Sequence, residues 1–254
     1  MHLRNVLVAG VIGAAVVAHA ASAQTDQVEA SPTRNGASVA LLRQASHALG
    51  EEWGGVRGVK VRGTMTDDAG SHNFSWLDTW TPDRKLNRRT HHDARPAQDV
   101  ASRSISSDSS GTSIPKFNLF SSLIGHAPGA AIRLALQDES YQITPSLLPI
   151  EDGDSCAQIS TPQKGLWEGG MLAVICFSKE TRMPASVKLA LPNRSPGKPL
   201  LFETITFDGF TTRNNLVSPS LITITRPGGR QSRIVFEDVD FGTANHDLTE
   251  DSPQ

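Results

Sequence analysis

The stretch that decides the fold is Leu200–Phe241, LLFETITFDGFTTRNNLVSPSLITITRPGGRQSRIVFEDVDF. It contains three extended segments, two turns and no helix signal. Leu201, Glu203, Ile205 and Phe207 alternate with Phe202, Thr204, Thr206 and Asp208, and period two puts each set on its own face of a strand. Leu221-Ile222-Thr223-Ile224-Thr225 is mostly β-branched, and such stiff side chains suit a pleated surface. Arg226-Pro227-Gly228-Gly229 reverses the chain. Ile234, Phe236 and Asp238 then alternate with Val235, Glu237 and Val239, and Pro219 is expected at the start of its strand. The reading is a three-stranded antiparallel meander.

Working upstream, Ser186–Leu191, Met171–Ser178, Ser155–Thr161 and Ser140–Thr144 read as further strands. Asn118–Leu136 reads as a broken helical insert, with one or two turns before Pro128 and a short helix from Gly129 to Gln137. Ahead of it, Val59–Met65 and Phe74–Trp80 flank the hairpin turn Asp67-Asp68-Ala69-Gly70. Pro82-Asp83 turns the chain into a third extended piece, Arg84–His92, and Val100–Ser106 reads as a short strand. The later part of Ser102–Ser113 reads as a loop. Val39, Leu42, Ala45 and Leu49 fall on one face of a helix over Ala37–Leu49, capped by Asn35 or Ser38 and closed by Gly50. Parallel βαβ units need a helix between strands, and most connections here are too short for one. The expected fold is therefore mainly β (α+β). A strongly curved antiparallel sheet, an open half-barrel of about ten or eleven strands, carries an N-terminal helix and a helical insert on its concave face.

Met1–Ala23 has the pattern of a secretory signal peptide: Arg4, an apolar run from Val6 to Ala18, and Ala21-Ser22-Ala23 before Gln24. That run is shorter than the ~20 residues that span a bilayer. The expected organisation is signal peptide 1–23, disordered leader 24–36, one domain over 37–242 and a disordered tail over 243–254. The expected location is periplasmic or secreted. A net charge of −2 argues against a general nucleic-acid or membrane-surface role.

Two cysteines occur, Cys156 and Cys176, and a hairpin centred on residue 166, in a segment rich in turn formers, sets them opposite each other. A structural disulfide is the simplest reading in an exported chain; free thiols and a redox pair are the alternatives. Adjacent His91 and His92 point to opposite strand faces and make a poor metal site. Glu151-Asp152-Gly153-Asp154 lacks the spacing of a calcium loop. Ser113-Ile114-Pro115-Lys116 and Ser195-Pro196-Gly197-Lys198 match a catalytic pattern only by letter, since both sit in proline-containing loops. No catalytic residue, metal or cofactor is expected. Arg88 lies in a basic stretch, Arg84–Arg95, that reads as a soluble sheet edge or as a rim for an anionic partner. Phe74, Trp76 and Trp80 share one strand face, which in an open sheet is both core and groove.

The order of these features resembles a known family. The helix ALLRQASHALG (40–50) leads into VRGVKVRGTM (56–65), and a strand ends at Trp80-Thr81-Pro82-Asp83-Arg84. Thr181-Arg182-Met183-Pro184, ITFDGF (205–210), Asn215–Pro219 and VFEDVDF (235–241) follow. Together they resemble the periplasmic lipoprotein carriers of the LolA/LolB-like superfamily, including envelope-stress sensors of the RseB type. The resemblance implies an open barrel with an apolar concave face under helices, binding without catalysis. The expected ligand contacts are Phe74, Trp76, Trp80 and Arg88, and the expected partner is a lipid, acyl chain or lipidated protein. An envelope protein-interaction or sensor module is the alternative, and a hydrolase without a recognisable motif the third reading.

Overall fold

The computed structural model describes residues 33–80, 86–92, 116–148, 155–160, 171–191 and 201–243. Outside them lie the signal peptide and most of the leader, the Pro82-Asp83 turn, the Val100–Ser106 strand, the Ser-rich loop, Glu151–Asp154, the turn around residue 166, the loop before the meander and the C-terminal tail. The elements run α1 (Gly36–Leu49), a 3₁₀ turn (Glu51–Gly54), β1 (Val56–Asp67), β2 (Gly70–Trp80), β3 (Leu86–His92), α2 (Lys116–Leu123) and α3 (Pro128–Gln137). Then come β4 (Gln142–Pro145), β5 (Ser155–Ser160), β6 (Met171–Phe177), β7 (Pro184–Ala190), β8 (Phe202–Arg213), β9 (Leu216–Thr225) and β10 (Gln231–Thr243). They form one ten-stranded sheet in the order β3-β2-β1-β10-β9-β8-β7-β6-β5-β4. Every neighbouring pair is antiparallel. β3 and β4 end the order without pairing to each other, so the curved sheet stays open.

The meander has the expected three strands with two differences. Asn214 and Asn215 both have positive φ, 49° and 60°, and form a two-residue reversal between β8 and β9. Turns of this hand match strand twist, and asparagine tolerates them. β9 therefore starts at Leu216, and Pro219 lies inside the strand, opposite Phe210. Its missing N–H does no harm there, because β9 pairs with β10 only over Leu221–Thr225.

The second difference is in β10. Arg62 pairs with Asp238 but Gly63 pairs with Phe236, so Glu237 is an inserted residue. A bulge of this kind shifts the alternation by one. Ile234 and Phe236 are buried and then Val239, whereas Asp238 is not part of that buried row, contrary to simple alternation. Gly63 is required at the bulge, because a Cβ there would stand 2.0 Å from the Val235 carbonyl oxygen.

α1 begins as its sequence predicts: Asn35 Oδ1 accepts from the Ser38 N–H at 3.1 Å. Its buried stripe is Ser38, Leu42, Ala45, Ser46 and Leu49. The end of the expected leader is ordered, however. Ile143 N–H donates to Thr33 O, and Asn35 N–H donates to Ile143 O, laying residues 33–35 along the outer edge of β4. The Arg34 guanidinium donates to the carbonyls of Ala135, Leu136 and Asp138, a cationic cap on the last turn of α3.

Cys156 and Cys176 are register partners in the β5–β6 hairpin and are joined by a disulfide, with Cα atoms 4.1 Å apart. Directly opposed residues of an antiparallel pair stand at about this separation. No helix among the described residues is long and apolar enough to cross a membrane.

Candidate functional site

The inner face of the sheet is a continuous apolar surface. Register partners carry it across: Val61 opposite Trp76, Ile222 opposite Phe207, Ile205 opposite Val187, Ile175 opposite Ala157, and Ile159 opposite Ile143. All but Trp76 are buried, and Trp76 is partly so. Helices cover the face. Leu119, Phe120, Leu123, Ile124 and Ile132 of the α2–α3 hairpin are almost wholly inaccessible, and α1 packs against α3.

The turn between α2 and α3 sits over the middle of this face. A Cβ on Gly125 would be 3.5 Å from Ile205 Cδ1 and 3.8 Å from Ile222 Cδ1, so the turn touches β8 and β9. The next residue, His126, meets β2: its ring lies edge-on to Trp76 with centroids 5.3 Å apart. His126 Nε2 lies 2.9 Å from Asp78 Oδ2, and both side chains are buried. The approach is off the line of a well-formed hydrogen bond. Burying a charged or polar pair is costly unless the partners meet. Asp78 on an otherwise aromatic strand face therefore constrains where the α2–α3 turn can sit.

Phe74 and Trp76 stack at 4.6 Å, and Phe236 of β10 meets both edge-on at 6.4 and 6.1 Å. The structure thus brings Phe74 and Trp76 into one aromatic cluster beneath the α2–α3 turn. Trp80, further along β2, lines a separate recess of about 130 Å³ with Trp53, Leu119, Leu123 and Ala130. Trp53 is fixed from three sides: its Nε1 donates to Leu49 O at 2.9 Å, its ring meets Phe241 edge-on at 5.0 Å, and Gly129 lies flat against it. Arg88 is placed on edge strand β3, opposite Asp78 in register. Sequence reading missed Asp78, His126, Arg57 and Arg133. A lone carboxylate in the pattern Phe74-x-Trp76-x-Asp78-x-Trp80 was the available signal for the first pair.

Among the described residues no three potential metal ligands group together. No protein-family model matches the sequence, and no curated protein matches it. Several solved structures do. The chain resembles LolA-like proteins in fold. A LolA superfamily protein from Nitrosomonas europaea is 12% identical, with 83% of this chain and 94% of that one covered and a TM-score of 0.49. A domain of an outer membrane lipoprotein-sorting protein from Vibrio parahaemolyticus is 13% identical over 80% and 92%, with a TM-score of 0.47. A DUF1329 family protein from Desulfovibrio piger is 11% identical over 81% and 93%, at 0.46. At these identities the likeness is one of fold.

Proposed function

We propose that this is an exported, non-enzymatic binding protein whose concave face takes an acyl chain, from a lipid or a lipidated partner, when the α2–α3 hairpin moves aside. The observation that carries the reading is the cover itself. An apolar sheet face is plugged by a helical hairpin whose turn is anchored to the sheet by the Asp78–His126 contact. In the covered form the recess beside Trp80 is about 130 Å³, below the ~300–1,000 Å³ of ligand sites. Loading therefore requires displacement.

The magnitudes allow it. The hairpin buries five large apolar side chains, Leu119, Phe120, Leu123, Ile124 and Ile132, each contributing about 1.5–3 kcal/mol. An acyl chain recovers about 0.8 kcal/mol per methylene, so roughly a dozen methylenes offset the loss of that cover. The Cys156–Cys176 disulfide suits an oxidising compartment, in keeping with Met1–Ala23 as a signal peptide.

The test is native mass spectrometry with lipid extraction on protein purified gently from the periplasm of an expression host. Co-purified lipid, or uptake of an added fatty acid at one per chain, is expected. Protein that is empty and stays empty contradicts the proposal.

A further inference from the structure

The covered face meets solvent at the recess between the Glu51–Gly54 turn, α2, α3 and the end of β2. Its walls are Trp53, Val56, Trp80, Leu119, Leu123 and Ala130, and two arginines, Arg57 and Arg133, line it together with Gln137. Among the described residues no carboxylate lines it. Both guanidinium groups converge on Gly54. Arg57 Nη1 donates to Gly54 O at 3.0 Å and to Val56 O at 2.8 Å, and a Cβ on Gly54 would lie 3.3 Å from Arg133 Nη1.

Neither arginine has a carboxylate partner among the described residues, and the Nε of Arg133 is buried with no hydrogen-bond partner there. On the turn, Glu51 is 3.0 Å from His47 Nδ1 and, with Arg133 and Gln137, lines an adjoining recess. A buried N–H on a cation is expensive to leave without an acceptor. Guanidinium forks match carboxylate oxygens, and an apolar recess with such forks at its mouth is complementary to an anionic head on an apolar tail.

We propose that this recess is the entrance to the concave face and that Arg57 and Arg133 hold the carboxylate of a single-chain fatty acid there. Its tail runs under α2, past Trp80 towards Trp76. The recess admits one head and the first few methylenes without rearrangement, which favours a single chain and a small head. The assignment rests on the concave face being an acyl groove.

The test uses cis-parinaric acid, a fatty acid that is itself fluorescent, and its uncharged methyl ester. Each is titrated into delipidated full-length protein at low salt and about pH 8, where a carboxylic acid is ionised. The acid should bind about tenfold more tightly than the ester, the scale of one charge-assisted hydrogen bond. Arg57→Gln with Arg133→Gln should abolish that preference while leaving ester affinity close to that of the parent; loss of the Arg57 bonds to Gly54 O and Val56 O lowers the melting temperature but not the ratio of acid to ester binding. Arg230→Gln, in an exposed turn, should change nothing. Equal binding of acid and ester, or a preference that survives the double variant, overturns the head-group assignment and leaves the acyl groove standing. Binding of neither probe overturns the groove as well. Stronger competition by a lysophosphatidate of the same tail than by the free acid overturns the choice of carboxylate.

Discussion

His126 Nε2 stands 2.9 Å from Asp78 Oδ2 in the interior, and the two residues belong to the hairpin and to the sheet that it covers. Their meeting places the α2–α3 turn over the aromatic cluster of Phe74, Trp76 and Phe236. Removing one member leaves the other buried without it, at a cost of about 3 kcal/mol. Asp78→Ala is therefore expected to lower the melting temperature clearly. His126→Leu leaves the Asp78 carboxylate buried without the imidazole, so it should cost at least as much, and it should speed fatty-acid uptake in stopped-flow fluorescence. Uptake as slow as in the parent would show that the contact does not hold the hairpin shut.

Much of the frame is legible in the residues, and the exceptions have physical reasons. The α1 stripe, the Asp67–Gly70 hairpin and the cysteine register all follow from local period or from a symmetric turn, and short-range geometry carries them. The bulge at Glu237 leaves no local mark, yet it moves Asp238 out of the row of buried side chains that alternation assigns to it. Arg34 reads as part of a polar leader because the helix end that it caps lies 101 to 104 residues away. Of the site, the aromatic strand face is visible in the sequence. Its polar partner His126 and the arginines at Gly54 become meaningful only once α2 and α3 are laid on β2.

Gly129 has the indole of Trp53 where a side chain would be: a Cβ would lie 2.3 Å from Cδ1 and Nε1. Gly129→Ala is expected to destabilise by about 1–3 kcal/mol through overpacking. Trp53→Leu in the same chain should restore part of the loss, and a denaturant-unfolding cycle measures that coupling.

The disulfide closes a separation of 20 residues. Cross-links over loops of this size contribute about 3 kcal/mol. Cys156→Ala with Cys176→Ala should therefore lower unfolding stability by about that amount. Intact-mass measurement of the parent should show two hydrogens fewer than the reduced chain.

Asp238 is held below the ordinary carboxylate range by hydrogen bonds from Arg62 and then Arg213, with Coulomb attraction from both adding and burial opposing. A lowered folded-state value stabilises above the unfolded value and is lost as pH falls through the folded one. The pair is partly exposed, so its contribution is small and salt-sensitive. Arg213→Gln should be slightly less stable than the parent at neutral pH, and the gap should close well below about pH 4. Paired melting curves at pH 7 and pH 3 measure it.

The central claim is that an acyl chain lies on the concave face, against Trp76 and Trp80. Quenching of tryptophan fluorescence by 9,10-dibromostearate tests this most directly, because bromine quenches only at close approach. Saturable quenching by the brominated acid and none by stearate is predicted, with most of it lost in Trp76→Phe, Trp80→Phe protein. No saturable quenching, or quenching unchanged in that variant, would contradict the account.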